Sequence, residues 1–181
     1  MNPQCKISGA PGKRVSQTTL ARLLRQEVLP LAQGREWYFC PDPECAVVYF
    51  TADGATLAQD ALTVRVGLKE KASPRPICYC FGYDFEDVER DAAAAETSVL
   101  AAAITEKCRQ GLDRCEETNP QGSCCLGNVR KAFKEARARA QRPPHGAAAV
   151  SEEPGRCTAI LIQPPVLGTT AIPARSNLEK P

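Results

Sequence analysis

One histidine, one methionine and one tryptophan in 181 residues leave the chain short of the groups on which nucleophilic catalysis and methionine-rich copper sites depend. The single histidine, His145, stands in a proline-rich stretch, so a cysteine nucleophile has no imidazole base at hand. No P-loop or dinucleotide glycine fingerprint is present either. There is no run of eighteen apolar residues, and residues 1–20 contain no continuous apolar segment, so neither a membrane-spanning helix nor a secretory signal is expected. Charge of one sign is also missing. The 23 Lys and Arg against 21 Asp and Glu give a net charge of +2, too little for an overall electrostatic hold on nucleic acid or membrane. The absences together describe a cytoplasmic protein that is not an enzyme. An apolar content of 43% is that of a globular chain.

What the chain has in excess is cysteine, ten in all. With no export signal, thiols stay reduced in an ordinary cytosol, which favours metal or cluster ligation over the alternative of a secreted disulfide framework. Cys78 and Cys80 are one residue apart and Cys124 and Cys125 are adjacent, spacings suited to two sulfurs gripping one centre.

Aromatic residues cluster between Trp37 and Phe85, with only Phe133 outside, so the β-rich part belongs there. Glu36–Cys40 (EWYFC) and Ala46–Thr51 (AVVYFT) read as a hairpin across the PDPE punctuation, and Leu62–Val66 (LTVRV) as a third strand. Upstream, Leu20, Leu23, Leu24 and Val28 lie at helical spacing and predict a helix over Thr18–Leu31, capped by Thr18 or Thr19. After Gly82 the period changes to 3.6. A helix capped by Asp84, a second through Val99–Ile104, and a third from Cys125 or Leu126 through Ala136 are expected. The first of these is acidic, with six acids and one Arg over 84–96. The third is basic, with six bases and one Glu over 129–142, a pattern of either a solvated face or a dock for an acidic partner. Seven prolines and no aromatics over 143–181 predict a disordered tail.

Five thiols, Cys78, Cys80, Cys115, Cys124 and Cys125, compete for four places around one centre. Asn119-Pro120-Gln121-Gly122 makes a tight turn that delivers the adjacent cysteines to a helix start, where free N–H groups stabilise thiolate. An iron-sulfur cluster benefits most. Zinc competes, although structural zinc sites usually separate paired cysteines by two to four residues.

The strings ICYCFGYDFEDV and CEETNPQGSCCLGNV resemble the [2Fe-2S] module of CopZ-type metallochaperones, itself similar to bacterioferritin-associated ferredoxin. The N-terminal zinc ribbon of that family is similar to YFCPDPECAVVYF here, and its connecting strand to VRVGLKEK. The resemblance implies that Cys78, Cys80 and Cys115 hold the cluster, with the fourth ligand from the Cys124–Cys125 pair. Adjacent side chains diverge by about 100° on a helix, so one of the two faces the cluster, and Cys125 is preferred with Cys124 as the alternative. Cys108, four residues after Ile104, reads as a buried thiol.

For zinc the resemblance implies Cys5, Cys40 and Cys45, but the fourth position is Ser8, whose hydroxyl is a far poorer ligand than thiolate. His145 or Cys157 substitutes only if the tail folds back. A second departure is that no Met-x-Cys-x-x-Cys copper loop is present, which places copper delivery in question. The resulting expectation is an α+β chain: a zinc-ribbon-like β unit over 1–72, a short-helix [2Fe-2S] module over 73–142, and the tail. Its function would be metal handling, with copper as the candidate metal, and one-electron transfer to a redox or metal-acceptor protein. The alternative is a non-redox zinc-binding interaction module.

Overall fold

The computed structural model describes residues 2–142; the predicted tail, with His145 and Cys157, lies outside them. The fold is mixed, with a small antiparallel sheet in the N-terminal part and helices predominating after it. Four strands pair in chain order: β1 (Lys13–Val15), β2 (Trp37–Phe39), β3 (Val47–Phe50) and β4 (Thr56–Ala58). The hairpin expected across PDPE is the centre of this sheet, with Tyr38 opposite Phe50 and Phe39 opposite Tyr49. Every residue of β2 and β3 is buried, because one side chain set packs on Leu20, Leu24, Leu62 and Val66 and the other on Cys5, Cys40 and Cys45.

Two local expectations fail here. The Leu62–Val66 segment is not a strand. The third partner of the hairpin is Thr56–Ala58, and Leu62 makes only an isolated bridge to Leu24 after a single 3-10 turn over Gln59–Ala61. Both Leu62 and Val66 are core residues, so their apolar character reflects burial beneath the sheet and not sheet pairing. The helix over 18–31 is broken into α1 (Gln17–Leu23), capped by Ser16, and α2 (Leu29–Ala32), with Pro30 in its first turn. Between them the chain is extended at Leu24, which holds the bridge to Leu62 while Thr63 donates to the Leu23 carbonyl.

Three longer helices follow much as the 3.6 period predicts: α3 (Phe85–Ala94), α4 (Val99–Arg109) and, after the one-turn α5 (Cys115–Thr118), α6 (Leu126–Ala140). Asp84 caps α3 in a reciprocal box with Asp87, and Ser98 caps α4. Their facing sides bury Val88, Ala92, Ile104, Val129 and Phe133 in one cluster that also holds Cys78 and Cys125. The opposite charges of α3 and α6 partly meet within the molecule: Arg139 bridges Glu89 at 2.9 Å and Arg137 donates to the Ala95 carbonyl. A two-stranded ribbon, β5 (Pro76–Cys78) with β6 (Tyr83–Asp84), leads into α3. Among the described residues no helix is long and apolar enough to cross a membrane.

Candidate metal centres

The structure gathers the cysteines into two groups. In the first, Cys5 lies on the turn before β1, Cys40 follows β2 and Cys45 precedes β3, and the three sulfurs lie within 4.8 Å of one another. All three are buried, and Cys5 Sγ stands 3.9 Å from Cys45 Sγ. Four thiolates at the zinc–sulfur distance of about 2.3 Å in a tetrahedron stand about 3.8 Å apart, so the separation fits zinc. Ser8 Oγ is 3.4 Å from Cys40 Sγ and accepts from the Ala10 N–H. A hydroxyl thus stands where a fourth thiolate would complete the set.

Burial acts to raise the Cys5 thiol, yet the N–H groups of Ser8 and Ile7 and the side chains of Ser8 and Cys40 bring it down to about 7. Cys40 goes the other way, pushed up mainly by burial against hydrogen bonds from Ser8 and Asp42. Lys69 went unnoticed in the sequence. Its half-buried ammonium donates to the carbonyls of Asp42 (2.8 Å) and Cys45 (3.1 Å), tying down the turn that carries two of the thiols. The signal was available in the KEK run, but only the tertiary fold reveals which of these charges turns inward.

The second group is formed by β5, the turn after it, α5 and the start of α6. Cys80 Sγ is 3.5 Å from Cys115 Sγ, and Cys78 and Cys125 are both buried in the one helical core cluster. Gly82 closes the turn after Cys80 with φ +69°, which a side chain would strain. The Cys78 thiol is brought down to about 7, first by Cys125 and then, against burial, by the N–H groups of Phe81 and Cys80. Cys125 is raised, first by its bond to Cys78 and then by burial, while Cys115 is raised chiefly by burial and next by Cys80. The Arg114 N–H donates to Cys80 Sγ at 3.3 Å, and Thr118 Oγ1 lies 3.3 Å from the same sulfur, two contacts that sequence reasoning missed.

The Asn119–Gly122 turn forms as expected, with the buried Asn119 side chain accepting from the Gln121 N–H and donating to the Ser123 carbonyl. It presents Cys125 inward and leaves Cys124 exposed. Cys108 is half-buried against the helical core, its thiol raised to about 11 by burial and by Cys124, so the expectation of full burial is corrected. Its position near the end of α4 leaves one side open.

Residues 2–63 match the family model of the CopZ zinc binding domain. The copper chaperone CopZ of Archaeoglobus fulgidus is 32% identical over 123 residues, which are 67% of this chain and 57% of that protein. The X-ray structure of the N-terminal domain of the same CopZ superimposes with a TM-score of 0.58 at 29% identity, covering 71% of this chain and 95% of that domain. This chain therefore spans little more than half the length of its curated relative. Residues 2–63 thus match a zinc-binding domain of the CopZ type, on a chain similar to the Archaeoglobus copper chaperone.

Proposed function

We propose that the chain is a cytoplasmic metal-handling protein, with copper as its cargo, that holds a [2Fe-2S] cluster on Cys78, Cys80, Cys115 and Cys125 and serves one-electron transfer. It acts as a carrier and electron-transfer protein and not as an enzyme. The observation that carries this reading is the arrangement of the second thiol group. Cys80 and Cys115 form a close pair at 3.5 Å and Cys78 and Cys125 share one buried cluster, whereas the only set of three ligand atoms within 4.8 Å among the described residues is Cys5, Cys40 and Cys45. A single zinc ion draws its sulfurs to about 3.8 Å from one another, and a wider set suits a centre of two metal ions better.

The copper cargo rests on the homology to a copper chaperone. When bound, a [2Fe-2S] cluster supplies one reversible electron, enough to take Cu(II) to the Cu(I) that thiolates hold. The chain's own part is to grip the sulfurs and dress them. The Arg114 N–H donates to Cys80 Sγ, stabilising thiolate charge, and the core of Val88, Ile104 and Val129 keeps water from Cys78 and Cys125. The zinc-binding domain beside it supplies a second, separate metal site.

Anaerobic purification followed by iron, sulfide and zinc analysis tests the reading. Two iron and two sulfide per chain, with visible absorption that bleaches on reduction, are expected. A colourless protein holding only zinc would instead establish the non-redox interaction module.

A further inference from the structure

The fourth corner of the zinc-binding site has a consequence that goes beyond the cluster and does not depend on it. A closed zinc staple needs four good ligands, and this site offers three buried thiols and the Ser8 hydroxyl. Soft monovalent d10 cations are satisfied by three thiolates in a plane. At metal–sulfur distances near those of zinc, a trigonal set has its sulfurs about 3.9 Å apart, so both coordination geometries fit the 3.9 Å between Cys5 and Cys45. Zinc in this site lacks a strong ligand, whereas Cu(I) lacks nothing. Thiolate softness also ranks Cu(I) ahead of zinc.

Access and charge point the same way. Cys45 lines an open groove of about 470 Å³ shared with Glu44, Asp60, Glu70, Lys69 and Lys71; Glu44 is paired with Lys71 and Glu70 with Arg65, so the three carboxylates against two lysines leave the groove slightly acidic where it reaches one of the ligands. Three thiolates with Cu(I) carry −2, and the Lys69 ammonium clamped on the Cys45 carbonyl reduces the local total to −1. That equals the charge that zinc with four thiolates would have beside the same lysine. The lysine therefore raises no electrostatic obstacle to the monovalent ion.

We propose that Cys5, Cys40 and Cys45 form a metal-exchange site that takes up Cu(I) in place of zinc, and that Ser8 is the residue which keeps the site exchangeable. In the exchange, Cu(I) becomes bound to the three thiolates, Zn(II) leaves through the groove, and no electron or proton moves.

The test uses the full chain, zinc-loaded and anaerobic, titrated with Cu(I) as its acetonitrile complex while a colorimetric indicator reads released zinc. The natural protein is expected to release its one ribbon zinc, with X-ray absorption finding three sulfur neighbours around the copper. Ser8→Cys is expected to hold zinc to at least tenfold higher copper, and Ser8→Ala to behave as the natural protein does. Because Ser8→Cys only completes the ligand set, its folding is not at risk. Equal zinc retention by the natural and Ser8→Cys proteins overturns the proposal. So does loss of zinc from Ser8→Ala before any copper is added, which would make the hydroxyl a firm fourth ligand. Failure of the cluster reading would appear separately, as a colourless protein whose zinc readout is intact.

Discussion

In the second thiol group Cys80 faces Cys115 and the Arg114 N–H, while Cys78 and Cys125 are held in the helical core, and this sets what substitution does there. Cys78→Ala, Cys80→Ala and Cys115→Ala are each expected to abolish the visible chromophore, because each removes one of two sulfurs from its iron. Cys125→Ala should lose more of it than Cys124→Ala, since Cys125 is buried on Cys78 while Cys124 is exposed. Cys108→Ala should leave it intact. Full iron and sulfide content in Cys80→Ala would sink the ligand assignment. A different residue, Glu86, carries a pH signature. Its carboxyl is held down at about 2, first by the Ser73 hydroxyl and then, against burial, by its backbone and Arg75. A depressed carboxyl stabilises the fold above its ordinary value of 4.5, and that contribution is lost as pH falls toward 2. Carbon-detected titration should find the Glu86 midpoint near 2, and Arg75→Gln should move it upward.

Among the elements, α3 has the clearest local code. The Asp84 side chain accepts from the Asp87 N–H at 2.8 Å and Asp87 answers at the Asp84 N–H at 3.0 Å, so two otherwise free donors of the first turn are met. Asp84→Ala should cost about 1 kcal/mol and lower the midpoint of the helical melt, with Asp84→Asn recovering most of the loss. An unchanged midpoint in Asp84→Ala would show that the core of Val88 and Ala92 alone fixes the helix start. The segment between the sheet and the β5–β6 ribbon is constrained by contact instead. A Cβ at Gly67 would lie 1.7 Å from the Pro76 carbonyl oxygen, and the Gly67 N–H donates to the Tyr79 hydroxyl at 2.9 Å. Gly67→Ala must therefore move backbone next to Cys78, with a loss of folded yield expected on expression and read by size-exclusion chromatography.

Over the whole described chain, the sheet and the cysteine loops are joined by a few hydrogen bonds between residues distant in sequence. Buried Tyr49 on β3 donates to the Pro120 carbonyl at 2.7 Å, and Thr19 on α1 donates to the Glu116 carbonyl at 2.7 Å. Pro120 belongs to the turn that presents Cys124 and Cys125. Tyr49→Phe leaves that carbonyl without its partner, a loss of about 1–3 kcal/mol. It should speed hydrogen exchange at Gln121–Cys125 and shorten the life of the chromophore in air, with the zinc content unchanged. Exchange rates equal to those of the natural protein would mean that the turn holds itself through Asn119 alone.

Local and chemical features of the fold are written in the primary structure. Short runs of aromatic and β-branched residues on either side of PDPE specified the β2–β3 hairpin, and the 3.6 period with Asp84 specified α3 and the helices after it. Cysteine type and spacing singled out Cys78, Cys80, Cys115, Cys124 and Cys125, while Cys5, Cys40, Cys45 and the serine at position 8 were readable only through the resemblance to the CopZ-type pattern. Tertiary structure decided what depends on partners far along the chain. Leu62–Val66 is as apolar as a strand but lies under the sheet because Thr56–Ala58 takes the open edge of β3, and no pattern within five residues encodes which neighbour wins. The helix over 18–31 breaks because Leu24 turns outward from it to meet Leu62, thirty-eight positions on. The choice of Cys125 over Cys124 for the interior, the inward turn of Lys69, and the contacts of Thr118 and the Arg114 N–H with Cys80 were likewise set by packing. Burial and hydrogen bonding between distant segments are properties of the assembled chain, and the identity of a residue fixes only what it can contribute once placed there.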